Sequence, residues 1–395
     1  MAKRKTRRIL VSIPTAAHTQ RLKLEGILRY VREKRGDAWR LQLDLGGFAR
    51  QRLKDFASWK CDGIIAYIDS PAKLAFFRDT GLPSVLINPL LSPNDPSADD
   101  EKTVVFVNDH AREGRTAARH FLERRFEHFA YVGTPERTPW SDRRGEGFAA
   151  ELAAHGRTCI AYPPISAAAR EDFAREMPGL VKWLAALPRP TAVFAAHDIR
   201  ARQGLAAADA AGLDVPERLA VLGVDDDEPV CETAAPPLSS IPTNDVSLGY
   251  ACGRALEELI AGRGAGRTIS TAHVRVVGRA STDITAVDDP FVARALSWAR
   301  NHLADDLDID TLAAKTGYSA RYLQMRAQRA LGTTIGDEIR RMRLAAAAEL
   351  LSGTDRPISL IADECGFSSV SHLSDRFVKA YRLTPREFRN RGREG

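Results

Sequence analysis

The sequence predicts a two-lobed α/β domain followed by an all-α domain with two helix-turn-helix units. Three observations lead there. Short apolar segments alternate with amphipathic helical ones through residue 280. Beyond them a polar, acidic run at 281–290 gives way to a stretch rich in Ala, Arg and Leu. Within that stretch one motif occurs twice: Gly317-Tyr318-Ser319 with Leu323 and Arg326, then Gly366-Phe367-Ser368 with Leu373 and Arg376. Each copy has a small residue, Ala313 or Ala362, four places before its glycine. A small residue lets two helices cross closely, the glycine makes the tight turn, and the serine caps the second helix. A tandem pair at this spacing reads as a DNA-binding device.

The candidate strands are Ile9–Ile13, Leu41–Leu45, Gly63–Ile68, Ser84–Asn88, Val104–Val107, Phe129–Gly133, Ala192–Ala195 and Ala220–Val224. Helical patterns lie between them at Arg21–Lys34, Ala111–Arg124, Glu146–His155, Ala201–Ala211 and Val246–Ala261. Near-continuous apolar strands separated by helices indicate parallel sheets covered on both faces. The strands are too many for one small doubly wound domain, so two lobes are expected. A chain of 395 residues also exceeds what one core holds.

Lys and Arg number 57 against 51 Asp and Glu, a net charge of +6. That balance is compatible with nucleic acid without demanding it. No apolar run spans a bilayer, and Ile9–Ile13 stops at Pro14, too short for a signal segment. A cytoplasmic protein is expected. Its five cysteines are scattered, with no CxxC, so reduced, packed thiols are expected and no metal or cofactor.

In such sheets ligands bind beyond the carboxyl ends of the strands. There stand Thr15 and His18, Asp69, Asn88, Trp140 to Arg144, His197-Asp198 and Asp225-Asp226-Asp227. Planar polar groups that fix hydroxyls, with an aromatic face for C–H bonds, suit a polyhydroxylated neutral ligand. Each residue has a structural alternative. Arg144 could pair with Glu146, Trp140 could be packed, and the three aspartates could form only a turn.

Gly133 with Arg144-Gly145-Glu146-Gly147-Phe148, then Ala196-His197-Asp198, Gly223-Val224-Asp225-Asp226 and Pro237-Leu238-Ser239-Ser240-Ile241 resemble the effector domain of LacI/GalR-type repressors. That domain is similar in fold to periplasmic sugar-binding proteins. The resemblance implies sugar hydrogen bonds from Arg144, His197 and Asp225. His197 replaces the usual Asn and adds a group that can titrate. With eight residues before the first strand, the N-terminal DNA-binding domain of that group is not expected here.

The last segment is similar to the DNA-binding domain of AraC/XylS-type activators. The matching residues are Leu312-Ala313, Gly317-Tyr318-Ser319, Leu323, Arg343-Leu344, Leu350-Leu351, Ile361-Ala362, Gly366-Phe367, Phe377 and Thr384 to Arg389. By that pattern Ser319, Arg321, Gln324 and Met325 belong to the first reading unit's DNA face. Ser371, His372, Val370 and Asp375 belong to the second's. Arg and Gln can reach guanine and adenine edges bidentately. Valine and aspartate are poor groove residues, so readout leans on the first unit, with Arg376 and Lys379 serving as phosphate contacts. Ala327 stands where Phe is usual, which suggests looser packing of the first unit. A connecting helix of roughly 17 residues spans about 25 Å, against about 34 Å between successive major-groove faces.

The expected divisions are a basic tail at 1–8, a sugar sensor at 9–280, a linker at 281–290 and a DNA reader at 291–395. The fusion, with Ser281-Thr282-Asp283 and Val287-Asp288-Asp289-Pro290, resembles sugar-operon regulators of the xylose type. That implies a homodimer that binds double-stranded DNA and D-xylose or a related sugar, with RNA polymerase as a further partner and no membrane. Sugar would close the lobes and shift the population of DNA-bound arrangements. The alternatives are a degenerate sensor serving only dimerisation, or a sugar-processing enzyme, which would need two flanking carboxylates. A periplasmic binder would need an export segment.

Overall fold

The computed structural model describes residues 6–34, 38–45, 60–87, 90, 101–170, 172–264, 267–271, 275–287, 289–305, 307–354 and 356–394. The chain forms two compact units. One holds Met1–Arg112, Thr138–Arg143 and Thr243–His273; the other holds Glu113–Arg137, Arg144–Pro242 and Val274–Gly395.

In the first unit β1 (Thr6–Ser12), β2 (Ala38–Asp44), β3 (Gly63–Tyr67), β4 (Ser84–Ile87), β5 (Thr103–Asn108) and β11 (Arg267–Thr271) form a parallel sheet, ordered β11-β5-β4-β3-β1-β2. Ile9, Val11, Ile65, Val85 and Phe106 face Ile27 of α1 (His18–Glu33) and Leu248 and Leu256 of α9 (Asp245–Ile260). Their neighbours Leu10, Ile64 and Leu86 pack with Phe77 of α2 (Pro71–Asp79). Successive strand side chains point to opposite faces, so a sheet covered on both sides needs an apolar residue at every position.

The second unit carries β6 (His128–Val132), β7 (Cys159–Ala161), β8 (Thr191–Ala195), β9 (Leu219–Asp225) and β10 (Ser239–Pro242), parallel in the order β10-β9-β8-β6-β7. Its helices include α6 (Phe173–Ala186), α7 (Asp198–Ala210) and the short α5 (Ala167–Arg170) and α8 (Glu228–Glu232). Two more, α3 (His110–Glu123) and α4 (Pro139–Ala154), begin in the first unit's segments and continue here.

The reader belongs to the same second unit: α10 (Pro290–Asn301), α11 (Ile309–Thr316), α12 (Ala320–Leu331), α13 (Ile335–Gly353), α14 (Ile358–Glu364), α15 (Val370–Tyr381) and α16 (Pro385–Glu394). Its first core joins Leu312, Leu323 and Ala327 to Val292, Ala295 and Leu296 of α10. Its second joins Ile361, Leu373 and Phe377 to Leu344, Ala347 and Leu351 of α13. Ala327 is thus fully buried against α10, a helix that precedes both motifs.

The structure departs from the sequence reading at several places. Thr6, Arg7 and Arg8 are strand rather than tail, and Arg8 N donates to Asp62 Oδ2 at 2.7 Å. Lys3, Arg4, Lys5, Asn88 and Asp288 lie outside the described residues. Helix α4 begins at Pro139, ahead of the expected Glu146, so Trp140 to Arg144 are already helical. Strands β7, β10 and β11 escape the apolar criterion because they are short or polar. In β10, Ser239 and Ser240 are fully buried, and their hydroxyls find partners in Arg279 O and Asp198.

Segment 281–290 is no slack connector. Ser281, Thr282 and Thr285 are fully buried, Ser281 Oγ donates to Val221 O at 2.7 Å, and Ala286 N donates to Arg124 O at 2.8 Å. Among the described residues no helix is long and apolar enough to cross a membrane.

Candidate functional site

Three expected ligand residues of the second unit stand together at the strand ends. Arg144 lies in α4, 3% exposed, and its Nε donates to Glu113 Oε2 of α3 at 2.6 Å. Its Nη1 donates to Ala196 O at 2.5 Å, and its Nη2 lies 3.9 Å from Asp225 Oδ1. The partner is therefore Glu113, not Glu146 as one sequence alternative had it. Asp225 ends β9 with φ 114, and Asp226 follows with φ 50. That left-handed backbone is strained for residues other than glycine, and such strain concentrates at functional sites.

The three aspartates do not converge. Asp225 faces Arg144, Asp226 pairs with Arg279 at 2.8 Å, and Asp227 N donates to Asp198 Oδ2 at 2.9 Å. Ser240 Oγ bonds Asp198 at 2.6 Å and accepts from Asp226 N at 3.0 Å, so this turn is braced from beneath.

His197 is the N-cap of α7, its Nδ1 accepting from Arg200 N at 3.2 Å. An accepting Nδ1 puts the proton on Nε2. Burial, reinforced by Arg144 and Arg200, lowers its pKa to about 4. The ring is a neutral N–H donor at neutral pH rather than a titrating switch. Its folded pKa lies below the unfolded value of about 6.5, so its contribution to stability is present above that value and declines as pH falls towards 4. The His197 ring proton shifts in NMR should stay flat from about pH 5 to about pH 8; a titration centred between them would contradict this environment.

The first unit holds Thr15, His18, Asp69 and Trp140. Thr15 follows β1, its carbonyl accepting from Arg21 Nη1 at 3.0 Å, and His18 opens α1. Asp69 follows β3, 3.6 Å from Lys73 Nζ of α2. Trp140 sits 6.3 Å from the His110 ring, centroid to centroid. Sequence reasoning missed Lys73, which is fully buried and has its pKa lowered by that burial, and Glu113. Neither belongs to an apolar pattern, and each is recognisable only by what it meets in space.

In the reader, the paired motifs fold as paired turns. Gly317 and Gly366 take φ 78 and 71, and Ala313 O and Ala362 O accept from Tyr318 N and Phe367 N. Ser319 caps α12 through Tyr322 N at 3.3 Å. In the second unit the cap is Ser369, bonded to His372 N at 3.1 Å, one residue later than the expected Ser368. The extra residue moves Ser368 Oγ onto His372 Nδ1, 3.1 Å away.

The two second helices then match at an offset of fifty residues, with the same burial sequence over 321–330 and 371–380. Leu323 and Leu373 point inward, as do Ala327 and Phe377. Arg321, Met325, Ser371, His372, Asp375 and Lys379 are exposed, while Gln324 and Arg376 are half-buried. Arg326 is engaged elsewhere: Asp289 accepts from its Nε at 2.5 Å, and its guanidinium lies 4.4 Å from the Phe291 ring centroid.

Comparison with known proteins fits both halves. Residues 118–282 match the periplasmic binding protein-like domain family, and residues 312–391 match a helix-turn-helix domain family. Over 96 residues the chain is 38% identical to the regulatory protein SoxS of Escherichia coli K12, covering 90% of that protein and 24% of this chain. The chain belongs to the AraC-type helix-turn-helix regulators.

Its fused architecture is that of the xylose operon regulators. It is 28% identical over 345 residues to the xylose operon regulatory protein of Escherichia coli K12, covering 86% of this chain and 87% of that one. The solved structure of a xylose-binding transcription activator matches at TM-score 0.63 and 27% identity, over 98% of each chain. This AraC-type chain is therefore a DNA-binding transcription regulator with a sugar-binding-like domain, not an enzyme.

Proposed function

We propose that the chain is a cytoplasmic transcription activator of sugar catabolism, and that D-xylose or a related sugar controls its binding to DNA. The observation that carries this reading is the pole where Arg144, His197 and Asp225 meet at the strand ends. A buried guanidinium, a neutral imidazole N–H and a carboxylate are donor, donor and acceptor for vicinal hydroxyls. The first unit's Thr15, His18, Asp69, Asn88 and Trp140 are proposed contacts on the strand-end rule alone. The likeness to a xylose-binding transcription activator favours a pentose, while the homodimer and RNA polymerase as a further partner are proposed from the sequence resemblance alone.

Thermal shift of the purified protein against pentoses, hexoses and disaccharides tests this reading. Stabilisation by D-xylose or a close relative is expected. A flat panel would leave the first part with dimerisation as its only role.

On the DNA side, Ser319, Arg321, Gln324 and Met325 are the proposed base-facing set of the first unit, joined by Ser371 and His372 of the second. Arg376 and Lys379 are proposed phosphate contacts. Arg321→Ala is expected to relax preference at one base pair, at a cost of about 1–3 kcal/mol. Competition binding with single-base operator variants reads it out. A uniform loss over all variants would make Arg321 a phosphate anchor instead.

A further inference from the structure

Helix α3 touches the Arg144 pole near one end and the reader at the other, all within the second unit. At the pole, Glu113 holds Arg144, and the two helices run almost backbone to backbone. A Cβ placed on Gly114 would lie 2.0 Å from Arg144 O and 2.6 Å from Phe148 N. Arg144 therefore has no room to move without carrying α3 with it.

Farther along, about 18 Å at the helical rise, the same helix runs into the reader. Arg125, just past its end, donates Nε and Nη2 to the two oxygens of Glu338, at 3.1 and 2.6 Å. Arg341 braces that carboxylate at 2.8 Å and also donates to Glu123 O at 2.8 Å. Glu338 is 1% exposed and lies in the first turn of α13, the helix that joins the two reading units. Burial alone would raise its pKa, but Arg125 and Arg341 hold it at about 2.

The surroundings are equally dry. Arg124 Nε donates to Thr282 O at 3.0 Å and Arg300 Nη2 to Thr285 Oγ1 at 3.1 Å. Burial pushes Arg300 down to about 9 and Glu349 up to about 7. Arg125 takes φ 63, a left-handed conformation that an arginine holds only at a cost.

We infer that α3 is the strut coupling the Arg144 pole to the reader, with Arg125 and Glu338 as the coupling residues at its far end. A bidentate guanidinium–carboxylate pair fixes direction as well as distance, so a tilt of α3 is passed to α13. Because α13 joins the two reading units, the displacement reaches both recognition helices together. Arg125 and Glu338 are positioning residues and meet no ligand. The inference rests on the sugar reading only for what pushes the strut.

Hydrogen–deuterium exchange on the full chain tests it. Glu113→Gln loosens the pole end and is expected to raise exchange in the first turns of α13 by about fivefold or more. Arg144→Lys serves the same purpose if the first variant folds poorly. In an Arg125→Gly background either change should leave α13 as it was. Glycine accepts the positive φ, and Glu338 keeps Arg341, so this background retains its fold.

A second arm adds D-xylose, which should alter α13 exchange in the wild type and not in R125G. An α13 indifferent to both pole variants in the wild-type background overturns the strut, and so does an undiminished response in R125G. Absence of any sugar effect in the wild type removes the sugar reading instead, and the pole variants still decide the strut.

Discussion

Arg144→Ala is expected to lose the sugar response and about 3–5 kcal/mol of stability as well, because it strips a buried carboxylate of its guanidinium. Glu113 is 2% exposed and bonded to Arg144 at 2.6 Å, so it cannot turn to solvent when the partner goes. Urea denaturation reads the stability, and operator binding with and without sugar reads the response. Glu113→Gln combined with Arg144→Ala should recover part of the stability and none of the response, since the neutral amide is cheaper to bury. A single variant as stable as the wild type that still answers sugar would remove Arg144 from the pole.

Gly366→Ala is expected to cost about 2–6 kcal/mol, the sum of backbone strain and overpacking at about 1–3 kcal/mol each. The added Cβ would sit 2.0 Å from Leu303 O and 2.7 Å from Arg343 Nε, at φ 71. Neither neighbour yields easily, because Arg343 is itself pinned to Leu303 O at 3.0 Å and Asp305 O at 2.7 Å. Its counterpart Gly317, at φ 78, has open space where a Cβ would go. Gly317→Ala should therefore cost only the strain, about 1–3 kcal/mol. Equal losses in the reader's unfolding transition for the two variants would mean that the contacts around Gly366 add nothing.

That contrast shows what a linear reading can hold. Both glycines are visible as turn formers from their motif, but only the fold brings Leu303 and Arg343 against one of them. The same limit applies at the pole. Arg144, His197 and Asp225 were legible because they stand in motifs that resemble a known effector domain, beyond the strand ends, whereas Glu113 lies one helical turn into α3 with no local signature. The buried apolar strands were legible from composition; β10 was not, because its serines are satisfied by Arg279 and Asp198, partners distant in sequence. Ser368 was read as a cap because the first motif places its serine two residues after the glycine, and the second inserts one more.

The run from Ser281 to Ala286, anchored by the buried Ser281, Thr282 and Thr285, has a practical consequence for dissecting the chain. Its side chains and amides complete the seam between Val221, Ser239 and Arg124. A recombinant fragment trimmed at residue 280 would leave that seam gaping, whereas one trimmed after Val287 would keep it closed. Proteases should spare this run for the same reason, since cleavage requires a backbone that can be drawn out into an enzyme's cleft.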